Sequence, residues 1–129
     1  MVRFPYGQAA LAPIAEQDIA AAAVRVLLDS GHTGQTYTLT GAESLTQIQQ
    51  AEAIGKATGR PVRFEELSPE QFRQFGTQHF PAPVVEDLLT ALASYVGQTA
   101  YITADLEKII GRPATSYAQW AVQHADAYR

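Results

Sequence analysis
The residues of this sequence that could do chemistry are three histidines, a few carboxylates and a group of aromatic side chains. Histidine titrates near neutral pH and is the commonest metal ligand, so each of the three is a place to look. His32 lies in the glycine-flanked stretch "SGHTGQ" and reads as a solvated turn residue. His79 stands between Gln78 and Phe80, where it could line a ligand pocket or end a helix. His124 shares a helical face with Trp120 and reads as a satisfied core ring. The three are too dispersed for recognisable metal spacing, and no cysteine supports them. No catalytic, cofactor-binding or metal residue is assigned from these patterns. Glu65 and Glu66 alternate faces on an expected strand, so they cannot work together as an acid/base couple. They are expected to be solvated or paired with Arg60 or Arg63. Glu16 and Asp18 open an expected helix, where acidic residues complement the dipole. Phe72, Phe75, His79, Phe80 and Tyr95 form the candidate apolar ligand pocket, because ligand sites are mostly apolar with a few polar groups. Ordinary core packing is the competing reading.

Several signatures are missing. No G-x-G-x-x-G stands between a strand and a helix; Gly31 and Gly34 follow a helix and precede a strand, the wrong order for a pyrophosphate cradle. There is no Walker A loop, no tyrosine with a lysine four positions on, and no G-x-S-x-G elbow.

The composition bounds the rest. The chain has 129 residues, 47% of them hydrophobic and 17% charged, which suits one globular domain spanning the whole sequence. A net charge of −4 with scattered basic residues argues against nucleic acid and anionic membrane surfaces. No apolar run approaches the roughly 20 residues that span a bilayer. The absence of cysteine excludes disulfides and thiol catalysis and fits a cytoplasmic protein.

The elements that would position these residues follow from periodicity and capping. Ile19, Ala22, Ala23, Val26 and Leu27 predict an amphipathic helix over 16–29, and Ala20 to Ala23 would let it pack on something flat. Gly31 is expected to terminate it. "TYTLTG" reads as a strand. Ser44 to Gln47 read as a capping box, opening a helix that stops near Gly59 and Pro61. "PVRFEEL" is an expected half-buried strand. "SPEQ" is a second box, with Pro69 at the favoured first helical position. Val84, Val85, Leu88, Leu89, Leu92 and Val96 give the cleanest helical stripe. Thr103 is the expected cap of "TADLEKIIG", and a last helix carries Tyr117, Trp120, Ala121 and His124 on one face. The expectation is an α/β fold, mostly helical: about six helices and a small sheet of two or three short strands. Such strands are not stable alone, and "TYTLT" would leave an edge open to another chain.

The stretch "PYG…APIAEQDIAAAAVRVLLDSGHTGQTYTLTGAESLTQIQQAEAIGKATGRPVRFEEL" resembles the C-terminal half of atypical short-chain dehydrogenases of the NmrA-like type. "GRPATSYAQWAVQHADAYR" is similar to that family's G-R-P-x-x-F-x-x-W tail. The resemblance implies a helix at Asp18, Ile19 and Ala20 beside a cofactor cleft, an edge strand over Tyr37–Gly41, and a substrate-pocket wall around Phe72–Phe80. Family members bind NAD(P) through a glycine-rich loop in a Rossmann half that this sequence lacks. NAD(P) is therefore implied by resemblance only, and no cofactor is expected in the isolated chain. Two readings follow. One is a non-catalytic small-molecule-binding or accessory protein that self-associates. The other is the substrate-binding part of an NAD(P)-dependent oxidoreductase, active only with a Rossmann half or as part of a longer chain. Either partner, a second copy or a Rossmann-type chain, would pair through the edge strand Thr36–Thr40.

Overall fold
Capping chemistry sets most of the helix boundaries. The computed structural model describes residues 1–129 and has six α-helices and four short strands. The helices are α1 (Glu16–Leu28), α2 (Gln47–Thr58), α3 (Pro69–Gly76), α4 (Ala82–Tyr95), α5 (Asp105–Ile110) and α6 (Tyr117–Gln123), followed by a 3₁₀ turn at Ala125–Tyr128. The Ser68 hydroxyl accepts from Gln71 N–H while the Gln71 side chain accepts from Ser68 N–H, the reciprocal box expected of "SPEQ". Ser68→Ala should lower stability by about 1 kcal/mol in a denaturant titration. Gly59 (φ 67°) and Gly111 (φ 69°) both end helices in the left-handed conformation, each followed within two residues by proline.

Three boundaries differ from the expectation. The box that opens α2 is Thr46 with Gln49, two residues beyond Ser44. Ser44 Oγ instead accepts from Ala100 N–H at 2.9 Å, tying the α4–α5 loop down. Helix α1 ends at an extended Asp29 rather than at Gly31, which takes φ 93° in the turn beyond. Thr103 does not cap α5, because its hydroxyl donates to Thr38 C=O and its N–H donates to Thr40 Oγ1.

The strands come as two separate pairs. Strand β1 (Val2–Phe4) runs parallel to β4 (Phe64–Glu66), and β2 (Ala10–Leu11) runs antiparallel to β3 (Leu45–Thr46). The first pairing sets Arg3 opposite Glu65, and their side chains meet at 2.8 Å. Arg3, not Arg60 or Arg63, is therefore the hydrogen-bonded partner of Glu65. Glu66 turns to the other face and accepts from Gly7 N–H at 2.6 Å.

"TYTLTG" forms no strand. Thr36–Thr40 makes no backbone–backbone hydrogen bond. Its residues have the β-branched and aromatic character of a strand, but a ladder needs backbone-to-backbone pairing, and the neighbouring Thr103–Asp105 segment reaches it only through bonds that involve a side chain. Side chains hold it instead: Thr38 N–H donates to Asp105 Oδ2 at 3.0 Å and Thr38 C=O accepts from Thr103.

The core sits where α3 meets α4. Phe72, Val85 and Leu89 are buried there, with Phe4, Tyr6 and Leu67 against them, and Phe4 meets Phe72 edge-on at 5.1 Å. Alanines mediate the close contact of α2 with α6, at Ala51 and Ala121. Helix α1 packs on α5, burying Asp18 and Ala22 beside a buried Leu106. No helix is long and apolar enough to cross a membrane.

Candidate functional site
Helix α1 carries two apolar faces, and only one is used. A rotation of 100° per residue puts Asp18, Ala22 and Val26 on one side and Ala20, Ala23, Val24, Leu27 and Leu28 on the other. The first face is turned to the protein. The second lies open: Val24 is 52%, Leu28 76% and Leu27 83% exposed. Two alanines, a valine and two leucines make a shallow apolar surface, the shape that seats on a sheet. Leu27 was expected among the packed residues and is instead the most exposed of the stripe. The unpaired segment Thr36–Thr40 follows through a short loop. Thr38 spends both backbone groups on the Thr103–Asp105 side, while Tyr37 and Leu39 give theirs to nothing in the chain. In extended chain, neighbouring residues point their backbone groups to opposite sides, so Tyr37 and Leu39 present a free edge.

The N-terminal end of α1 is clasped by the C-terminal tail. Asp18, with 0% of its surface exposed, accepts from Arg112 Nη2 at 2.8 Å, Thr115 N–H at 2.7 Å and the Thr115 hydroxyl at 3.0 Å. Burial pushes the Asp18 pKa up, but these hydrogen bonds and the Arg112 charge outweigh it, and the carboxyl is held below the usual range. Gln17 donates to Thr115 Oγ1 and Gln123 Oε1, both at 3.2 Å. Glu16 accepts from the Trp120 indole at 2.9 Å and lies 3.3 Å from His124 Nε2. Its own backbone and the indole N–H lower its pKa. Dipole complementation accounts for acidic residues in a first turn but not for a buried one. The missed signal was Asp18 sharing a face with Ala22 and Val26. This arrangement binds the "DIA" helix to the "GRP" tail, two features that lie about 90 residues apart in the sequence.

The candidate apolar pocket does not gather at one place. Phe72 is core, 3% exposed. Phe75, one turn on and 53% exposed, meets the His79 ring at 5.1 Å in a tilted contact and lines a groove with Arg3, Leu67 and Gln71. Phe80 is 57% exposed at the break before α4. Tyr95, at the far end of α4, lines a different cavity with Ala10, Gln98 and Tyr101. Phe75 and Phe80 flank the α3–α4 connection, whereas Tyr95 ends the 14-residue α4, so the group is split along that helix. His32 is held by the Tyr37 hydroxyl at 2.7 Å, and His124 Nδ1 lies 2.9 Å from Trp120 C=O. No three His, Asp or Glu side chains converge as a cation site.

Residues 3–124 match the model of the NmrA-like family, and the chain belongs to that family. It is 35% identical over 129 residues to a (4-alkanoyl-5-oxo-2,5-dihydrofuran-3-yl)methyl phosphate reductase of Streptomyces griseus, covering 99% of this chain and 46% of the relative. It is 34% identical to an NAD(P)H azoreductase of Xenophilus azovorans, covering 96% and 44%. A crystal structure of an NADPH-dependent quinone oxidoreductase from Escherichia coli superposes with a TM-score of 0.74 at 27% identity, over 94% of this chain and 45% of that one. The chain spans less than half the length of each of these relatives.

Proposed function
We propose that this chain is the substrate-side part of an NAD(P)H-dependent oxidoreductase and works only when a nucleotide-binding half covers α1 and adds a strand to Thr36–Thr40. The carrying observation is the open apolar face of α1 beside the free backbone edge of Tyr37 and Leu39. A parallel sheet flanked by helices supplies both a flat apolar surface and a strand with unsatisfied groups. The relatives support the same reading, since more than half of each lies outside the matched region. Their names describe reduction of an acyl-substituted unsaturated lactone, an azo compound and, for the structural relative, a quinone. All are conjugated hydride acceptors, the substrate class we assign.

A second reading is favoured by the same edge. Two copies could pair their Thr36–Thr40 segments about a two-fold axis, giving a self-associating ligand-binding protein without activity of its own.

Native mass spectrometry of the chain, alone and mixed with the nucleotide-binding half of the Streptomyces relative, separates the two. The first reading expects a one-to-one complex that oxidises NADPH once a quinone is added as hydride acceptor, while the chain alone gives no saturable calorimetric titration with NADPH. Leu27→Glu should weaken that complex at least about tenfold, since a charge buried without a partner costs more than the 1.4 kcal/mol this represents. It should leave the isolated chain's unfolding unchanged, because Leu27 touches little within it. A stable homodimer that ignores the added half would favour self-association.

A further inference from the structure
We infer that Trp120, Glu16 and Tyr128 form a redox site that quenches one-electron oxidants, such as peroxide-derived radicals. Trp120 gives up the electron, Glu16 takes the indole proton, and the oxidising equivalent leaves through Tyr128 at the surface. The inference does not rest on the proposed function, since all three residues belong to this chain.

Trp120 is the only tryptophan of the sequence, and indole is among the side chains that lose an electron most readily. It sits inside a column of rings. His124 stacks on it at 4.7 Å, Tyr117 lies at 5.5 Å along the same helix, and Tyr128 meets it edge-on at 6.3 Å. Rings at these separations touch, so an electron passes between them directly.

The indole also has a base. Its N–H donates to Glu16 Oε2 at 2.9 Å. A tryptophan that has lost an electron is a strong acid, so its proton moves along this hydrogen bond as the electron leaves. Glu16 Oε1 lies 3.3 Å from His124 Nε2. The proton thus has a second station, since imidazole is a stronger base than a carboxylate.

The two tyrosines set the direction of transfer. A phenol gives up its electron readily only when its hydroxyl proton can leave as well. Tyr128 is 49% exposed, and water accepts that proton. Tyr117 is half-buried, and burial, followed by the neighbouring Tyr128, pushes its pKa up. The column therefore discharges outward. In sum, Tyr128 supplies one electron and its phenolic proton, Trp120 recovers its own proton from Glu16, and the oxidant ends reduced by one electron. Two Tyr128 phenoxyl radicals from separate chains then join by a carbon–carbon bond, after which a ring hydrogen returns to each oxygen to give dityrosine.

The test is oxidation of the full chain by tris(bipyridine)ruthenium(III), generated by a light pulse with a cobalt(III) ammine as electron sink. Exposure alone favours Tyr101, at 76%, over Tyr128. The relay reverses that order, and peptide mass mapping at low conversion is expected to find dityrosine at Tyr128 first. Tyr128→Phe should strand the oxidation on Trp120 and raise the yield of oxidised indole. Glu16→Gln keeps an acceptor for the indole N–H but no base, and with the Glu16 side chain 67% exposed it spares the fold. Transient absorption should show an indole radical cation that lives roughly tenfold longer in this variant. Cross-links appearing first at Tyr101, or no rise in oxidised Trp120 in Tyr128→Phe, would overturn the relay. An equal cation lifetime in Glu16→Gln would overturn the role of Glu16.

Discussion

Asp18→Ala is expected to destabilise the chain by about 3 kcal/mol in equilibrium unfolding, one of the largest effects of any single substitution. The carboxylate has no exposed surface and satisfies three donors at once. Its removal frees Arg112, which is 45% exposed and returns to water at little cost. The Thr115 N–H has no such outlet and is left without its acceptor. Asp18→Asn is not a rescue. The amide oxygen can accept from Thr115, but its NH₂ then faces the guanidinium, donor against donor. Arg112→Ala should also destabilise, because it leaves a buried negative charge with only the two Thr115 donors. If both Asp18 variants unfold at wild-type denaturant concentrations, the clasp contributes nothing and this account is wrong.

The same carboxylate gives the acid side of the stability profile. Its folded pKa lies below its unfolded value, so the unfolded chain binds the proton more readily. The contribution is complete above the unfolded value, about pH 4, and is lost as pH falls through the folded value. Stability should therefore fall below about pH 4 in the parent chain and fall less steeply in Asp18→Ala. Parallel acid limbs in the two proteins would remove Asp18 as the cause.

Local chemistry was legible and long-range chemistry was not. Helix ends marked by Ser68 with Gln71, or by glycine and proline at 59–61 and 111–113, depend on neighbours within four residues, and they stand where the sequence put them. The box of α2 slipped from Ser44 to Thr46 because both positions carry a hydroxyl with glutamine three or so residues on. Only the α4–α5 loop, which claims Ser44 for Ala100, decides between them. Helix α1 was legible as a helix but not in its orientation. Alanines occupy both faces, so periodicity cannot say which face is buried. The position of Asp18 decides it, and its partners lie in the tail.

The site shows the same limit. β-propensity over Thr36–Thr40 was real, yet strand pairing is a property of two segments, and this one has no backbone partner. The aromatic group at 72–80 looked like a pocket because its members are close in sequence. One turn of helix separates the buried Phe72 from the exposed Phe75, so proximity along the chain divided them between core and surface. The Tyr95–Tyr101 cavity was half seen. Tyr95 was among the candidates, but Tyr101 and Ala10 of β2 were not, since what joins them is the bridge from Val96 to Ala9.

Gly41→Ala should cost about 3 kcal/mol or more, for a reason unrelated to glycine's flexibility. A Cβ at this position would sit 1.9 Å from the carbonyl oxygen of Pro13 and 2.8 Å from its carbonyl carbon. These are backbone atoms, so no rotamer change relieves the clash. Gly41 N–H also donates to Ala12 C=O at 3.1 Å, so the segment leaving Thr40 lies directly on the segment leaving β2. Moving one displaces the other, and with it the β2 side of the Tyr95–Tyr101 cavity and the loop that leads into α1. Gly59→Ala is the contrast. Its φ of 67° strains an alanine, but nothing lies within 4 Å of the added methyl, and a cost near 1 kcal/mol is expected. The two alanine variants therefore separate steric contact from backbone strain. A Gly41→Ala protein as stable as Gly59→Ala would mean that the Gly41–Pro13 crossing is looser than this geometry. The free edge of Thr36–Thr40 would then no longer be held at a fixed place for a docking strand.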